Sequence, residues 1–212
     1  MLRAVQRAPG VRLGIVSGRA LRALRRAVGV RGLVWIGNHG LELGVPGRTV
    51  VVPAARRGTP AMARLARGLA EEVLPILGAF VEDKGYSLSV HWRNVRPSAV
   101  RRFHRLVYGA LESWQARGVA RVTLGKRVIE VRPPVAWDKG SAVEWLMRRY
   151  GYRAGELVYF GDDRTDEDAF RAVHRWRGVS VCVGSGARVS CARWRLDGPS
   201  EVLELLERIA EE

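Results

Sequence analysis

Acidic side chains crowd into one short segment of this 212-residue sequence. Residues 159–170 read Y-F-G-D-D-R-T-D-E-D-A-F, a pattern that places the end of an apolar strand next to the start of a helix. α/β proteins bind ligands at the carboxyl ends of parallel strands. Converging carboxylates repel one another unless a cation neutralises them, and such hard oxygen ligands suit Mg²⁺. One or two acids could instead cap the helix, but their larger number favours a metal site.

Two further segments have side chains that suit a phosphate group. Ser17 follows an apolar run and precedes Gly18 and Arg19, so that a hydroxyl and exposed backbone N–H groups could hold phosphate oxygens. Lys139 stands at the start of a predicted helix and suits a point-charge contact with phosphate. Taken singly, a serine before a glycine is an ordinary turn, and a lone lysine is most often an exposed surface residue.

The elements around these segments alternate between strand and helix, which is typical of an α/β fold. Strands are predicted at residues 11–16, 33–36, 157–160 and 179–183, and helices at residues 2–8, 20–28, 141–150, 166–175 and 200–209. We expect the first and last parts of the chain to share one parallel sheet.

A segment with a different order of strands and helices interrupts this alternation. Strands are predicted there at residues 49–52, 79–83, 86–92, 119–124 and 127–131, and helices at residues 60–77 and 98–116. In residues 86–92 apolar and polar side chains alternate, so that one face of the strand is apolar. We predict a discontinuous core, residues 1–44 and 136–212, and an inserted α+β cap, residues 45–135. Hinges near residues 43–46 and 133–137 are expected to let the cap close over the site.

The net charge of +15 has three possible explanations. Nearly all the positive charge is arginine, and the arginines are spread along the chain. Aromatic residues do not alternate with them at the spacing of a nucleic-acid-binding motif. A solvated surface of biased composition is therefore favoured, and no specific nucleic-acid partner is expected. Attraction to a phosphorylated small molecule is left open.

Cysteine content and hydropathy exclude several classes of protein. Cys182 and Cys191 have no partners at metal-site spacing, so we expect two reduced, buried thiols and no zinc site. No apolar run approaches the roughly 18 to 20 residues of a membrane-spanning helix, and arginines interrupt the N-terminus where a signal peptide would be apolar. We expect a cytoplasmic protein without a membrane partner.

Together the motifs resemble those of the trehalose-6-phosphate phosphatase family, within the haloacid dehalogenase-like superfamily. The resemblance runs from about residue 11 to the C-terminal helix. It rests on I-V-S-G-R at 15–19, G-N-H-G-L-E at 37–42, E-D-K-G-Y-S at 82–87, H-W-R at 91–93, V-I-E-V-R-P at 128–133 and G-D-D-x-T-D-E-D-A-F at 161–170. It implies a Rossmann-like parallel-sheet hydrolase core with an inserted α+β cap.

The resemblance also implies an activity, the Mg²⁺-dependent hydrolysis of trehalose 6-phosphate to trehalose and phosphate. Ser17 and Lys139 would hold the transferring phosphoryl group. Asp162 would bind Mg²⁺, with Asp163 and Asp166 supporting the metal directly or through water. Sugar recognition in the family falls on residues that correspond here to Arg19, His39, Glu42, Lys84, His91, Arg93, Glu130 and Arg132. Without the resemblance, we would assign the residues at 91 and 93 to a solvated strand face and those at 130 and 132 to a cross-strand ion pair.

One family motif is missing from this sequence. Family members carry D-x-D-G-(S/T) on a first strand that lies between the strands ending here at Ser17 and Asp162. The first aspartate of that motif attacks phosphorus, and the second acts as general acid and base. No segment of this sequence has the motif. We expect a longer active form whose start lies upstream of Met1, and we expect the 212-residue chain to be inactive.

Three other functions are weighed against this one. The chain could be a noncatalytic domain that binds a sugar phosphate, or one that docks onto a glycosyltransferase such as trehalose-6-phosphate synthase. It could also be a related phosphatase that acts on sucrose 6-phosphate or a mannosyl phosphoglycerate. The pattern in residues 84–93 favours the phosphorylated disaccharide trehalose 6-phosphate as the substrate.

Overall fold

The computed structural model describes residues 1–184 and 189–211, and the chain divides into two compact units. The core unit comprises Met1–Val50 and Trp137–Glu212, and the inserted unit comprises Val51–Ala136. The boundary between the units falls within the strand formed by residues 48–51, which joins the first sheet of the core unit.

Residues 1–184 and 189–211 form seven α-helices and eleven strands. The helices are α1 (Leu2–Val5), α2 (Leu21–Val28), α3 (Pro53–Val73), α4 (Pro97–Ala116), α5 (Lys139–Tyr150), α6 (Glu167–Arg175) and α7 (Pro199–Glu211). The strands are β1 (Gly14–Val16), β2 (Val34–Gly37), β3 (Glu42–Val45), β4 (Arg48–Val51), β5 (Phe80–Asp83), β6 (Leu88–His91), β7 (Arg121–Gly125), β8 (Val128–Arg132), β9 (Val158–Gly161), β10 (Val179–Val183) and β11 (Trp194–Leu196).

The core unit contains two sheets where the sequence predicted one. The first has the order β1-β2-β3-β4, with β1 parallel and β3 antiparallel to β2. The second has the order β11-β10-β9 and is parallel throughout. Within residues 1–184 and 189–211, β1 and β9 are sheet edges and no ladder joins them. The family pattern places a further strand at this position, and this sequence has no D-x-D-G-(S/T) motif to supply it.

Side-chain packing nevertheless joins the two sheets into one core. Ile36 and Leu43 of the first sheet belong to the same buried cluster as Tyr159 and Cys182 of the second. Phe170 of α6 is fully buried in that cluster. Burial of a large apolar side chain contributes about 1.5–3 kcal/mol. The carboxyl ends of β1 and β9 therefore belong to a single packed unit.

Three local features differ from the predictions. Strands β3 and β11 were not predicted, and β3 covers most of the segment that was expected to be a hinge. Helix α3 begins at Pro53 and carries Pro60 inside it, whereas the sequence suggested a start at Pro60. Proline suits the first position of a helix, because the missing N–H group would be unpaired there anyway. Pro53 occupies that position here.

The inserted unit has one antiparallel sheet of order β5-β6-β8-β7 with helices on one face. Leu88 and Val90 of β6 and Ile129 of β8 are fully buried together with Phe103 of α4. The apolar alternation predicted for β6 is confirmed. The opposite face of this sheet therefore presents the polar side chains of β6 and β8.

Both cysteines of the core unit are free thiols, as predicted. Cys182 is buried in β10, but Cys191 is exposed, so the prediction that both are buried is wrong. Cys191 lies outside the strands, where its N–H donates to the Glu167 carboxylate at 2.9 Å. Among the described helices none is both long and apolar enough to cross a bilayer.

Candidate active site

Three loops of the core unit contact one another at two glycines. A Cβ atom added to Gly18 would lie less than 3.0 Å from the imidazole ring of His39. One added to Gly40, which has a φ of 102°, would lie less than 3.0 Å from the carbonyl oxygen of Asp138. Real Cβ atoms do not approach so closely, so only glycine allows the loop after β1, the loop after β2 and the start of α5 to meet.

Two further glycines lie at close contacts of the acidic segment, one with α5 and one within the segment itself. A Cβ atom on Gly140 would lie less than 3.0 Å from the carbonyl oxygen of Asp168 in α6. One on Gly161 would lie 2.6 Å from the Cβ atom of Asp166. The loops that carry the predicted phosphate and metal residues thus form one continuous cluster at the carboxyl ends of the strands, where α/β proteins bind ligands.

Asp166 is the centre of the hydrogen bonding in this cluster. Its Oδ1 accepts hydrogen bonds from the Nζ of Lys139 and from the hydroxyl of Tyr159, each at 2.8 Å. Its Oδ2 accepts from the backbone N–H groups of Asp162 at 3.2 Å and Asp163 at 3.0 Å. Asp166 is 4% exposed and Lys139 is 6% exposed. Lys139 is therefore buried and held in place by Asp166, unlike an ordinary surface lysine.

Burial and charge together keep Tyr159 protonated. Burial raises the pKa of the Tyr159 phenol well above its usual value, and the negative charge of Asp166 raises it further. The phenol therefore remains a hydrogen-bond donor to Asp166 at neutral pH. Tyr159 was not predicted as a site residue, because it lies within the apolar pattern of β9.

Asp163 caps the turn that follows β9. Its carboxylate accepts hydrogen bonds from the N–H of Arg164 at 2.7 Å and from the hydroxyl of Thr165 at 3.2 Å. With Asp166 it forms a capping box, in which two side chains bond reciprocally to backbone N–H groups. The capping role that the sequence offered as an alternative is thus present, and it involves two of the three aspartates predicted to support a metal.

The carboxylates of the acidic segment suit a metal ion that is held by few protein ligands. In residues 1–184 and 189–211, no three His, Cys, Asp or Glu side chains converge in a way that could hold a metal ion. Mg²⁺ is usually bound by one or two carboxylates together with substrate phosphate oxygens and water. The exposed carboxylate of Asp162 fits that pattern best. Asp163 is also exposed, although both its oxygens already accept hydrogen bonds within the turn. Asp166 fits it less well, because it is buried and four hydrogen bonds occupy both its oxygens.

The Ser17 loop is tied to the loop after β2. The N–H of Ser17 donates to the carbonyl of Ile36 at 2.8 Å, and the N–H of His39 donates to the carbonyl of Ser17 at 3.3 Å. The N–H of Asn38 donates to the carbonyl of Arg19 at 2.6 Å. The Ser17 hydroxyl accepts from the N–H of Arg19 at 3.2 Å, which leaves its proton available for a phosphate oxygen.

The start of α5 is fixed by its own cap. The Oδ1 of Asp138 accepts hydrogen bonds from the N–H of Ser141 at 2.8 Å and from its hydroxyl at 3.0 Å. The indole N–H of Trp137 donates to the carbonyl of Gly40 at 2.8 Å. Lys139 therefore stands at the first position of a helix whose beginning is bonded to the loop after β2.

Glu42, predicted to bind sugar, has structural partners in the core unit. Its Oε2 accepts from the N–H of Leu21 at 3.0 Å, at the start of α2, and from the side-chain amide of Asn38 at 3.2 Å. Asn38 and His39 are buried and have positive φ angles of 53° and 56°. Asn38 was not assigned a role from the sequence. Because Asn38 is buried and has a positive φ angle, the surrounding contacts hold the conformation of this turn.

Some of the predicted sugar residues meet in the inserted unit. The Nζ of Lys84 lies 3.1 Å from Oε2 of Glu130, and the hydroxyl of Ser89 donates to the same oxygen at 2.8 Å. Ser89 is fully buried beside the ion pair and was not predicted. The structure thus brings Lys84 and Glu130 together on the polar face of the sheet.

The other predicted sugar residues of the inserted unit have different partners. The Nε2 of His91 lies 2.9 Å from Oε2 of Glu82, and its ring stacks on Phe80 with centroids 4.5 Å apart. Arg93 is exposed just after β6, and Arg132 ends β8. The proposed joint role of these side chains in sugar binding remains a prediction.

The chain is similar to known proteins over almost its full length. It matches the family model described as trehalose-phosphatase over residues 1–200. It is 37% identical over 209 residues to a trehalose-phosphate phosphatase of Mycobacterium avium, a match that covers 94% of this chain and 52% of that protein. It is 39% identical over 209 residues to an uncharacterized glycosyl hydrolase of Mycobacterium tuberculosis, covering 93% of this chain and 15% of that protein. The chain therefore spans about half the length of the first relative and a small part of the second.

Solved structures share the fold. The C-terminal domain of trehalose-6-phosphate phosphatase from C. albicans has a TM-score of 0.81 at 22% identity, covering 98% of this chain and 81% of that chain. The C-terminal domain of the trehalose synthase regulatory protein of Candida albicans has a TM-score of 0.77 at 13% identity, covering 97% of this chain and 84% of that chain. The predicted fold class, an α/β core with parallel strands that is interrupted by an α+β insertion, is confirmed.

Proposed function

This chain belongs to the trehalose-phosphatase family, and we propose that it forms the phosphate-holding part of a Mg²⁺-dependent phosphatase that acts on trehalose 6-phosphate. One observation carries the proposal. Lys139 is buried, paired with Asp166, and located where the loops after β1, β2 and β9 converge. A buried cation at the carboxyl ends of strands is a suitable contact for a dianionic phosphate monoester.

The residues of the core unit have separate roles in this proposal. The hydroxyl of Ser17 and the ammonium of Lys139 donate hydrogen bonds to the phosphoryl oxygens. Asp166 and Tyr159 position Lys139. Asp162, with Asp163, would hold Mg²⁺, which neutralises phosphate charge when bound. Mg²⁺ dependence and a cytoplasmic location are parts of the proposal.

The reaction needs a nucleophile that this sequence does not contain. In the family pattern, an aspartate oxygen bonds to phosphorus while the bond from phosphorus to the sugar oxygen breaks, and a second aspartate protonates that oxygen. Water then hydrolyses the aspartyl phosphate to inorganic phosphate. No D-x-D-G-(S/T) segment occurs in the 212 residues, so we propose that turnover requires one to be supplied.

The sugar-binding residues are assigned by the family pattern. They are Arg19, His39, Glu42, Lys84, His91, Arg93, Glu130 and Arg132. Charged side chains suit this role, because hydroxyl patterns are discriminated by hydrogen bonds far better than by apolar contact. The cluster of Lys84, Ser89 and Glu130 supports the assignment, since its polar atoms are already ordered in the inserted unit.

A noncatalytic role is the second candidate. It is favoured by the missing nucleophile motif and by the structural likeness to a domain of a trehalose synthase regulatory protein. In that case the chain would bind a sugar phosphate or dock onto a synthase without hydrolysing anything.

Phosphate release distinguishes these candidates. We expect the 212-residue chain to release no phosphate from trehalose 6-phosphate, and a version extended at its N-terminus by a D-x-D-G-T strand to release it with Mg²⁺. A matched extension with Asn in place of the first aspartate should be slower by at least about 10³-fold, because it cannot form the aspartyl phosphate. Release is measured for sucrose 6-phosphate and a mannosyl phosphoglycerate in parallel.

Two results would contradict this proposal. If the short and extended chains had equal turnover, and if that turnover persisted in the Asp162→Asn variant, the roles assigned to the site residues would be wrong. Inactivity of every extended version, together with co-purification of the chain with a synthase, would favour the noncatalytic role.

A further inference from the structure

A second polar site lies in the core unit, away from the carboxyl ends of the strands that carry the candidate active site. A pocket of about 300 Å³ is lined by Arg3, Gln6, Arg7, Gly29, Val30 and Arg31. Its lining includes the C-cap of α2 and the residues that lead into β2, so it lies near the amino end of that strand. The residues assigned to phosphate and metal binding follow the carboxyl ends of β1 and β9. We call this pocket the arginine pocket.

The arginine pocket is strongly positive. Three of its six lining residues are arginines, and none is acidic. Residues 1–41 contain eight arginines and no Asp or Glu. Helix α7, which packs against α1, carries glutamates, yet none of the ion pairs found among residues 1–184 and 189–211 involves Arg3, Arg7 or Arg31. The positive charge is therefore not neutralised by a side-chain partner in the described structure.

Contacts of the Gln6 side chain hold the backbone around the pocket in place. Its Nε2 donates to the carbonyl of Arg31 at 3.0 Å, which ties the end of α1 to the loop before β2. Gly32 has a φ of 81°, and a Cβ atom there would lie less than 3.0 Å from the amide of Gln6. Val5 is buried and anchors α1. The backbone that carries the arginines is thus fixed, while their guanidinium groups reach solvent.

We propose that the arginine pocket binds a small polyanion with phosphoryl groups, independently of the proposed phosphatase site. Guanidinium groups present planar pairs of N–H donors that match phosphate oxygens bidentately, and such charge-assisted bonds are among the strongest hydrogen bonds in proteins. The volume of the pocket suits a small molecule. Three arginines provide charge for more than one phosphoryl group. In this proposal, part of the net positive charge of the protein serves to bind phosphorylated anions.

Titration calorimetry with inorganic pyrophosphate tests this proposal. The buffer contains EDTA, so that no metal-dependent binding at the candidate active site contributes. We expect one site, and we expect Arg31→Gln and the double variant Arg3→Gln/Arg7→Gln each to weaken binding about tenfold or more, since each removes charge-assisted bonds. Gly32→Ala should also weaken binding, although it leaves the charge unchanged, because it displaces Gln6.

A control variant distinguishes specific binding in the arginine pocket from diffuse electrostatic attraction. Arg22→Gln removes the same charge from an exposed position on α2 and should change the affinity less than twofold. The proposal would be overturned by equal losses in Arg22→Gln and Arg31→Gln, or by no binding to the unmodified chain.

Discussion

Replacement of Asp166 by Asn is expected to lower the unfolding free energy of the core unit by about 3–5 kcal/mol, the usual result of leaving a buried charge unpaired. The Asp166 carboxylate accepts from Lys139 and Tyr159 on one oxygen and from two backbone N–H groups on the other. An amide must turn its NH₂ group toward one of these donor pairs. The loss is measured as a lower urea midpoint at an unchanged slope.

A neighbouring carboxylate provides the matched control. Asp168 pairs with Arg171 on the same helix, and its side chain is 37% exposed. Asp168→Asn should therefore change the stability by less than about 1 kcal/mol. The double variant Lys139→Met/Asp166→Asn should lose less than the sum of the two single variants, because it removes the unpaired charge. Additive losses would show that the Lys139–Asp166 pair is not coupled.

Substitution of Gly140 by Ala is expected to lower stability by about 1–3 kcal/mol, the typical effect of overpacking. The new methyl group meets the backbone carbonyl of Asp168, which cannot move without shifting α6. The shift would also move the acidic segment relative to Lys139. Phosphate binding should therefore weaken together with stability.

The same chemical change in another helix should have the opposite sign. Gly109 in α4 is exposed and has nothing within 4 Å of an added Cβ atom. Gly109→Ala should stabilise the inserted unit by about 0.5–1 kcal/mol, since alanine has the higher helix propensity. Equal effects at the two glycines, measured by chemical denaturation, would contradict the close approach of α5 and α6.

The sequence predicted which segments carry the site residues better than it predicted the contacts between those residues. The strand ends at Ser17 and Asp162 and the helix start at Lys139 were recognisable, because local patterns specify strands, caps and turns. The burial of Lys139 was not, because nothing near it in the sequence indicates Asp166 as its partner. Tyr159 was hidden for the same reason, since a tyrosine fits the pattern of a buried strand whether or not its hydroxyl has a partner.

Longer-range features were predicted less well. The division of the core unit into two sheets depends on which strands pair, and pairing between distant segments leaves no local signal. Strand β3 gains its pairing from β2 through a turn that includes His39, a residue with a positive φ angle. Strand β11 has only three residues and pairs with β10 alone. Short strands such as these are specified mainly by their neighbours.

Phosphate binding by these loops is tested most directly by calorimetric titration of the 212-residue chain with trehalose 6-phosphate in the presence of Mg²⁺. We expect one site, weakened about tenfold or more by Ser17→Ala and by omission of Mg²⁺, since each removes a charge-assisted contact with the phosphate. Trehalose itself should bind far more weakly. Unchanged affinity in Ser17→Ala and without Mg²⁺, or equal affinity for trehalose and its phosphate, would contradict the assignment of these loops to phosphate binding.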